Sequence, residues 1–324
     1  MASIRTDLVR QAIERFPSLP NRAIARYLLH SHGTIFDGDL EKIRHAVRYQ
    51  RGAQGEEKRL IIGSRALKRT GPVEMPLTWG RVRTPHKLSP GLWGVLADIH
   101  NPFHEARAIE SAVCYCQKQK VTGLLFNGDL QDCAAVSFWP TVDRRNFDLE
   151  IESFLDFLDF IQSEFPKAEK VWKPGNHEYR LPRYYAAKAP ELIGIPLAAF
   201  DVVLGLEHRG IEMLEYKQIV MAGKLPILHG DEYRMSTAVN PARGLFLKTN
   251  SWALCSHFHR TSEHSERNIQ GQLLTTWSTG CLCNLSPDYQ PYGNWNHGFA
   301  LVSVEKDGNF EVENRRILPN GKVV

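Results

Sequence analysis

Five short apolar runs in this chain each end in side chains that can bind metal ions. The first, residues 92–97, leads directly into Asp98 and His100, which would share one face because side chains along a strand alternate with a period of two. In chain order the polar ends are Asp98-Ile99-His100, Gly128-Asp129-Leu130-Gln131-Asp132, Gly175-Asn176-His177-Glu178, His229-Gly230-Asp231 and Ser256-His257-Phe258-His259. Since ligand sites form outside the carboxyl ends of parallel strands, the pattern predicts that these side chains converge.

Alternating strand and helix patterns predict an α/β fold class. The first half reads as strand, helix, strand, helix and strand at residues 92–97, 104–119, 121–126, 147–165 and 170–173. This order favours parallel pairing. The second half is richer in strand signals, which lie at residues 225–228, 252–255, 272–276, 298–304 and 310–314.

Taken together, the five blocks resemble the calcineurin-like metallophosphoesterase superfamily, and they stand in that family's order over residues 92–260. Five blocks in order are far more specific than one motif. The resemblance implies a four-layer α/β/β/α sandwich, in which two mixed β-sheets are flanked by helices, and an enzyme that hydrolyses phosphate esters with two metals. Residues 98–104, 281–289 and 295–298 resemble segments of phage- and prophage-type members.

The metal ions follow from the ligand types and the resemblance. Oxygen and imidazole ligands without cysteine suit Mn²⁺, the first choice, with Fe, Zn²⁺ and Ni²⁺ as alternatives. A carboxylate that bridges two ions ~3.5–4 Å apart activates water for in-line attack on phosphorus. The resemblance assigns seven ligands, which are Asp98, His100 and His259 at one ion, Asp129 as the bridge, and Asn176, His229 and His257 at the other.

His177 and Asp132 are the catalytic candidates. The resemblance places His177 against the phosphoryl group, where it would stabilise the transition state or protonate the leaving group. Asp132 would orient it, because a carboxylate sets the tautomer of an imidazole and raises its pKa. For Asp132 the alternative is an acid in a surface loop.

Two departures from the family pattern bear on the substrate. The protein Ser/Thr phosphatases of this superfamily have Arg-Gly after the second Asp of Gly-Asp-x-x-Asp, whereas Cys133 and Ala134 follow here. The sequence therefore predicts that the arginine that clamps a phosphate monoester is absent, which favours a diester. Ser256 stands where Gly is usual, a change that need not remove a ligand.

His104 and His297 are candidate substrate-binding residues. His104 could equally be a surface histidine at a helix N-terminus, and turn formation explains His297 and Asp288 as well as a place in the cleft does.

The first quarter of the chain reads as a small helical domain over residues 1–51. Helical patterns cover residues 4–16, 21–29 and 40–50, with Asn21 and Asp39 as N-caps. The last helix would expose the basic residues Lys42, Arg44, Arg48 and Arg51. The arrangement resembles a helix-turn-helix domain, in which Arg44 and Arg48 would contact nucleic acid. A packing module with a solvated basic face is the alternative.

Residues 52–87 read as a basic linker with a short strand at 60–62, and residues 88–324 as the metallophosphoesterase domain. Residues 1–90 contain 17 Lys and Arg against 8 Asp and Glu, whereas residues 91–324 contain 23 against 28. The positive charge of the first quarter predicts a polyanionic partner, and nucleic acid is the expected one. No membrane partner is expected, and the oligomeric state is left open.

The chain lacks an apolar signal core at residues 1–7 and any apolar run of the ~18 residues that would span a bilayer. A cytoplasmic location is therefore expected. The six cysteines are then expected to be reduced thiols, with the pairs 114/116 and 281/283 serving as small buried hydrophobic residues.

Three functions follow from the sequence. The first is a two-metal phosphodiesterase or nuclease that acts on DNA or RNA through a metal-activated water. The second is a phosphomonoesterase that acts on nucleotides or phosphoproteins. The third, a nucleic-acid-binding regulator without turnover, requires a damaged ligand set, and none of the seven ligand positions is damaged.

Overall fold

A computed structural model describes residues 2–52, 83–138, 146–195, 198–233, 239–287 and 290–324. The chain divides into two compact units, Met1–Gly80 and Arg81–Val324. The predicted strand at 60–62 and most of the predicted linker lie outside the described residues. In the described ranges no helix has the length and apolar character needed to cross a bilayer.

Three helices form the smaller unit, namely α1 (Ala2–Arg15), α2 (Asn21–His32) and α3 (Leu40–Arg51). Val9 of α1, Ile24 and Leu28 of α2, and Ile43 and Val47 of α3 are at most 1% exposed and form its core. All three helices were predicted, because apolar residues recur at helical spacing in each of them.

The predicted N-caps differ in outcome. Asp39 caps α3, since its side chain accepts hydrogen bonds from the backbone N–H groups of Glu41 and Lys42. Asn21 is not a cap, because it is the first residue of α2 and Pro20 precedes it without a side-chain cap. Proline is well suited to this end of a helix, where a backbone N–H would have no partner.

Two of the basic side chains of α3 contact groups within the smaller unit, so fewer are available to a partner than the sequence predicts. Arg44 lies 2.8 Å from the carboxylate of Glu41, and Arg51 donates hydrogen bonds to the backbone carbonyls of Phe16 and Pro17 at 2.8 and 2.9 Å. Arg48 is exposed. Residues 33–39 separate α2 from α3, a connection longer than the ~3–4-residue turn of a helix-turn-helix. The helix-turn-helix assignment stays a prediction.

The larger unit begins with β1 (His86–Lys87), β2 (Gly91–Leu96), α4 (Ala106–Gln119), β3 (Gly123–Asn127), α5 (Phe147–Glu164), β4 (Glu169–Lys173), α6 (Arg180–Lys188) and α7 (Phe200–Val203). It continues with β5 (Ile211–Met213), β6 (Val220–Ala222), β7 (Leu225–Ile227), α8 (Pro241–Thr249), β8 (Ala253–Cys255), β9 (Ser262–Arg267), β10 (Leu273–Ser278), β11 (Gly298–Val304) and β12 (Phe310–Arg316). His86 and Lys87, which the sequence assigned to the linker, pair with β6.

Within the described ranges the strands form two six-stranded mixed sheets. The first has the order β12-β11-β2-β3-β4-β5. In it, β2 to β5 run parallel, which the alternation of strands and helices predicts for β2 to β4, and β11 runs antiparallel to both β2 and β12. The second sheet has the order β1-β6-β7-β8-β10-β9.

The two sheets pack face to face with helices on their outer faces. Trp93, Val95 and Leu125 of the first sheet share a buried cluster with Ile227 and Leu254 of the second. The opposite side of the first sheet packs in one large core with α4 and α5, and part of α8 packs with β8. The predicted α/β fold class, a four-layer sandwich of two mixed sheets between helices, is confirmed.

Candidate metal centre

All seven predicted ligands lie just beyond the carboxyl ends of strands from both sheets. Asp98 and His100 follow β2, Asp129 follows β3 and Asn176 follows β4. From the second sheet, His229 follows β7, and His257 and His259 follow β8. The two facing sheets therefore bring together groups that are far apart in the chain.

Five of these ligands have left-handed backbone conformations that non-glycine residues rarely adopt. The φ angles are 52° at Asp98, 51° at His100, 52° at Asp129, 68° at His257 and 56° at His259. Each such residue costs on the order of 1 kcal/mol or more, and strain of this kind concentrates at functional sites. The surrounding strands must hold these turns in place.

Asp129 lies at the centre of the group. Its Oδ2 is 3.1 Å from His229 Nε2, 3.9 Å from His257 Nδ1 and 4.0 Å from His100 Nε2. Its Oδ1 accepts a hydrogen bond from the backbone N–H of His177 at 2.9 Å. One carboxylate oxygen thus faces imidazoles of both predicted ligand sets, which is the position that a bridging ligand needs.

The first predicted ligand set is fully assembled. His259 Nε2 lies 3.5 Å from Asp98 Oδ1 and 3.2 Å from His100 Nε2. Asp98, His100 and His259 are at most 5% exposed. Two imidazole nitrogens and a carboxylate oxygen therefore point at one small volume, as cation ligands do.

The second predicted ligand set is oriented by backbone hydrogen bonds. His229 Nδ1 donates to the carbonyl of Asn127 at 2.8 Å, which directs Nε2 toward Asp129. Such a bond fixes the tautomer of a metal-binding histidine. The backbone N–H of His257 donates to Asp98 Oδ2 at 2.9 Å.

The polar atoms that face the centre fit divalent cations. Within the described part of the chain, Asp98 Oδ1, Asn176 Oδ1, His229 Nε2 and His257 Nδ1 are buried and lack a hydrogen-bond partner. Buried polar groups are normally paired, so four orphaned ligand atoms around one carboxylate indicate a missing partner. Two clusters here could each hold an ion, namely His100, Asp129 and His177, and Asp129, His229 and His257.

The carboxylates dominate the electrostatics of the centre. Burial would lower the pKa of His229, but the charges of Asp129 and Asp98 outweigh it and raise that pKa to about 10. Burial is likewise outweighed at His259, mainly by Asp98, and its pKa rises to about 9. Because a metal ligand must be deprotonated, a cation would compete with these protons.

Two glycines leave room for the ligands. Gly128 has φ +89°, and a Cβ there would lie 2.3 Å from His229 Nδ1. A Cβ on Gly175 would lie 2.3 Å from Asp129 Oδ1. Both positions therefore require glycine, the first for conformation and both for space.

Glu178 organises two of the ligand loops, a role that sequence reasoning missed. Its Oε1 accepts hydrogen bonds from the backbone N–H groups of Leu130 and Gln131, and its Oε2 from those of Asp129 and Gly175, at 2.6–3.1 Å. Burial, and then the charge of Asp129, raise the pKa of Glu178 to about 7. The carboxylate directly after His177, in Gly175-Asn176-His177-Glu178, was the available signal.

Lys173 and Glu232 form a buried ion pair that was also missed. The Lys173 ammonium, 0% exposed, lies 2.5 Å from Glu232 Oε1. Glu232 also accepts hydrogen bonds from the backbone N–H groups of His229 and Gly230 at 3.1 and 2.7 Å. Burial opposes ionisation of Glu232, but Lys173 lowers its pKa to about 2. The pair holds the loop of His229, and no local sequence pattern indicates it.

Asp132 contacts the predicted catalytic histidine and one metal-ligand histidine. Its Oδ2 lies 3.2 Å from His177 Nδ1 and 3.1 Å from His100 Nδ1. Burial would raise the pKa of Asp132, but the hydrogen bonds to both rings hold it below its usual range. The side chain is 13% exposed, so the surface-loop alternative does not describe its environment.

A guanidinium lies beside Asp132, although the arginine that follows this position in the protein Ser/Thr phosphatases is absent. Arg180 Nη1 donates to the carbonyl oxygen and to Oδ1 of Asp132, both at 2.9 Å. Its Nη2 lies 3.0 Å from His177 Nε2. Cys133 and Ala134 follow Asp132, as the sequence shows, but α6 supplies an arginine from elsewhere in the chain.

Ser256 has a packing role in place of the usual glycine. Its hydroxyl accepts hydrogen bonds from Asn127 Nδ2 and from Thr279 Oγ1, each at 3.0 Å. These buried contacts tie the end of β8 to the end of β3.

The predicted substrate residues of the larger unit lie in well-packed surroundings. His297 Nε2 is 2.9 Å from the carbonyl oxygen of Cys283, and the ring of the half-buried His104 contacts Asn101 Nδ2 at 3.3 Å. Asp288 lies outside the described residues. Arg44 and Arg48 belong to the smaller unit. Substrate binding by His104, His297, Arg44 and Arg48 stays a prediction.

The described cysteines have free thiols, and Cys114 is exposed whereas Cys116, Cys281 and Cys283 are buried. The prediction of a buried pair was therefore wrong for Cys114. Cys283 Sγ lies 3.8 Å from His259 Nδ1, and Cys283, His100 and His259 form a further group whose potential ligand atoms lie within 4.8 Å of one another. Cys283 thus packs directly behind a predicted ligand.

No protein-family model and no curated protein matches this chain. Among solved structures it is similar to Vacuolar Protein Sorting 29 from Cryptosporidium parvum, with 14% identity and a TM-score of 0.40 over 73% of this chain and 96% of that one. A dimetal phosphatase from Danio rerio has 12% identity and a TM-score of 0.34, over 70% and 97%. Yfce, a phosphoesterase from E. coli, has 14% identity and a TM-score of 0.33, over 68% and 98%.

Proposed function

We propose that this chain is a two-metal-dependent phosphoesterase of the calcineurin-like metallophosphoesterase superfamily. The position of Asp129 carries the proposal. Its Oδ2 faces His229 and His257 on one side and His100 on the other, within 4.0 Å of each. Two adjoining ligand sets that share a carboxylate suit a pair of cations.

Two divalent cations at this centre, with Mn²⁺ proposed first, would supply a water of lowered pKa and positive charge for the phosphoryl oxygens. Asp98, His100, His259 and Asp129 would hold one, and Asp129, Asn176, His229 and His257 the other. The protein contributes turns whose strained backbone is held by two packed sheets. Pre-organised ligands of this kind lower the cost of rearrangement during reaction.

His177 is the proposed proton donor to the leaving group. Its Nε2 lies 3.9 Å from Asp129 Oδ2, while its Nδ1 faces Asp132. Burial alone would lower the pKa of His177, but Asp129 and Asp132 raise it above the ordinary value. To act as the donor, the ring would carry a second proton at Nε2, and Asp132 would stabilise the resulting charge.

Within this class we propose phosphodiester hydrolysis in DNA or RNA. The proposal is supported by the excess of Lys and Arg in residues 1–90 and by the exposed Arg48 on α3. The proposed location is the cytoplasm.

The second candidate, hydrolysis of a phosphomonoester on a nucleotide or phosphoprotein, is favoured by Arg180, because it provides a guanidinium beside His177. A regulator without turnover ranks third, since it requires a damaged ligand set and none of the seven positions is damaged.

The Mn²⁺-loaded protein tests these candidates with an aryl phosphodiester, an aryl phosphomonoester, and single- and double-stranded DNA and RNA. We expect diester hydrolysis and cleavage of at least one nucleic acid. Hydrolysis of the aryl diester with every nucleic acid intact would refute the nuclease proposal. Faster hydrolysis of the monoester would select the second candidate. If a protein with two ions bound per chain hydrolysed none of these esters, the proposal that it is a phosphoesterase would be refuted.

A further inference from the structure

Arg180 is a half-buried cation beside the proposed catalytic pair, and the mechanism above assigns it no role. It is the first residue of α6, and its side chain is 20% exposed. Nη1 donates twice to Asp132, and Nη2 lies 3.0 Å from His177 Nε2. The guanidinium therefore lies at the same atom through which His177 would serve the reacting group.

The contact between Arg180 and His177 fixes the tautomer of the ring. An arginine N–H can only donate, so His177 Nε2 accepts and its proton is on Nδ1, which faces Asp132. This pairing occupies Nε2, the atom that must face a leaving group. Because Nη2 and Nε2 are 3.0 Å apart, one phosphoryl oxygen can lie within hydrogen-bonding distance of both.

We infer that Arg180 binds the phosphoryl group of the substrate through its non-bridging oxygens. Nη1 keeps its hydrogen bonds to Asp132, while Nη2 turns from His177 Nε2 to a substrate oxygen. The planar guanidinium matches the spacing of phosphate oxygens, and its link to Asp132 holds it in place before substrate binds. The exchange also frees His177 Nε2. This inference rests on the proposed phosphoesterase function.

The competing explanation is that Arg180 only positions Asp132. Both explanations predict slower turnover in a variant that lacks the guanidinium, so activity alone cannot separate them. Affinity for inorganic phosphate separates them, because a residue that only orients Asp132 does not contact the anion.

The experiment is isothermal titration calorimetry of inorganic phosphate into the full chain loaded with Mn²⁺, with two ions per chain verified by elemental analysis. Arg180→Gln removes the charge but keeps an amide that can bind Asp132. Arg183→Gln is the matched control, since Arg183 lies one turn further along α6 and is exposed. Arg180→Lys, which keeps the charge, replaces Arg180→Gln if that variant fails to fold or to bind metal.

We expect phosphate affinity to fall about 10- to 100-fold in Arg180→Gln, which is the range for a lost charge-assisted hydrogen bond. Arg180→Lys should lose less, and Arg183→Gln should match the wild type. Wild-type affinity in Arg180→Gln with both ions present, or no phosphate binding by the wild type, would overturn the inference.

The outcome is separable from the proposed function. Phosphate binding that depends on Arg180, in a protein that hydrolyses no ester, would support this inference and refute the enzyme. Ester hydrolysis by a protein whose phosphate affinity does not depend on Arg180 would support the enzyme and refute this inference.

Discussion

The role of Glu178 in holding two ligand loops leads to a quantitative prediction for Glu178→Gln. Each carboxylate oxygen accepts two backbone N–H groups, from Leu130 and Gln131 at Oε1 and from Asp129 and Gly175 at Oε2. The amide of glutamine replaces one oxygen with an NH₂ group, which opposes two N–H donors. Each buried donor without a partner costs about 1–3 kcal/mol, so the substitution should cost about 2–6 kcal/mol.

Two measurements test this cost. Thermal unfolding should show a decrease in Tm on the order of 10 °C for the larger unit, at ~2–4 °C per kcal/mol. Because the displaced loops contain Asp129 and Asn176, Mn²⁺ affinity measured by calorimetry should fall about 10- to 100-fold, as for other residues that orient metal ligands. Glu191→Gln is the control, since Glu191 is exposed.

The reasoning would be refuted by a Glu178→Gln variant with the Tm and the Mn²⁺ affinity of the wild type. Such a result would mean that the loops hold their shape through the packed strands alone. A lower Tm with unchanged Mn²⁺ affinity would restrict Glu178 to a role in stability.

Three further predictions concern the centre and the two units. Asp129→Asn should lose bound metal and all turnover, whereas His177→Ala should keep both ions and slow turnover about 10²- to 10⁴-fold. Metal analysis and a rate assay on each variant test both expectations. Full turnover in His177→Ala would contradict the catalytic role of His177. The pKa of Glu232 is about 2 in the folded protein, against an ordinary value of 4.5. The contribution of ionised Glu232 to the free energy of unfolding is therefore complete above pH 4.5 and is lost as the pH falls toward 2. That contribution is about 3 kcal/mol, and the stability of Glu232→Gln should not show this loss between pH 4.5 and pH 2. Identical dependence of stability on pH in the wild type and in Glu232→Gln would argue against the ion pair. Removal of residues 1–80 should leave hydrolysis of small esters intact but weaken nucleic-acid binding and make its salt dependence shallower. Unchanged binding would limit the smaller unit to a packing role.

Much of the fold could be predicted because its determinants are local. Apolar runs and helical periodicity identified α4, α5 and the strands β2, β3, β4, β7, β8, β10, β11 and β12 to within a few residues, but not β1, β5, β6 and β9. The alternation of strand and helix predicted the parallel order from β2 to β4. Asp39 is a cap that sequence identifies, since a side chain bonds the first turn of its own helix. Ile4 lies at helical spacing with the apolar residues of α1, yet it is 54% exposed, which the spacing alone does not predict.

The contacts around the candidate ligands depended on tertiary structure. Arg180 is 48 positions from Asp132, and Lys173 is 59 positions from Glu232. Neither pair leaves a local pattern, because nothing in sequence spacing records which loops two facing sheets bring together. The residues that follow Asp132 therefore gave no sign of the Arg180 guanidinium, because the neighbours of Asp132 in sequence are not its only neighbours in space.

By itself the amino-acid sequence determined the residue types at the centre, their positions after strands and the α/β class, since these depend on side-chain chemistry and short-range periodicity. The tertiary structure decided which oxygen of Asp129 faces which imidazole, where the Arg180 guanidinium lies and how Glu178 holds the turns. Those features arise from the packing of one sheet against the other, which forces ligand turns into strained backbone conformations and leaves their polar atoms directed at one small volume.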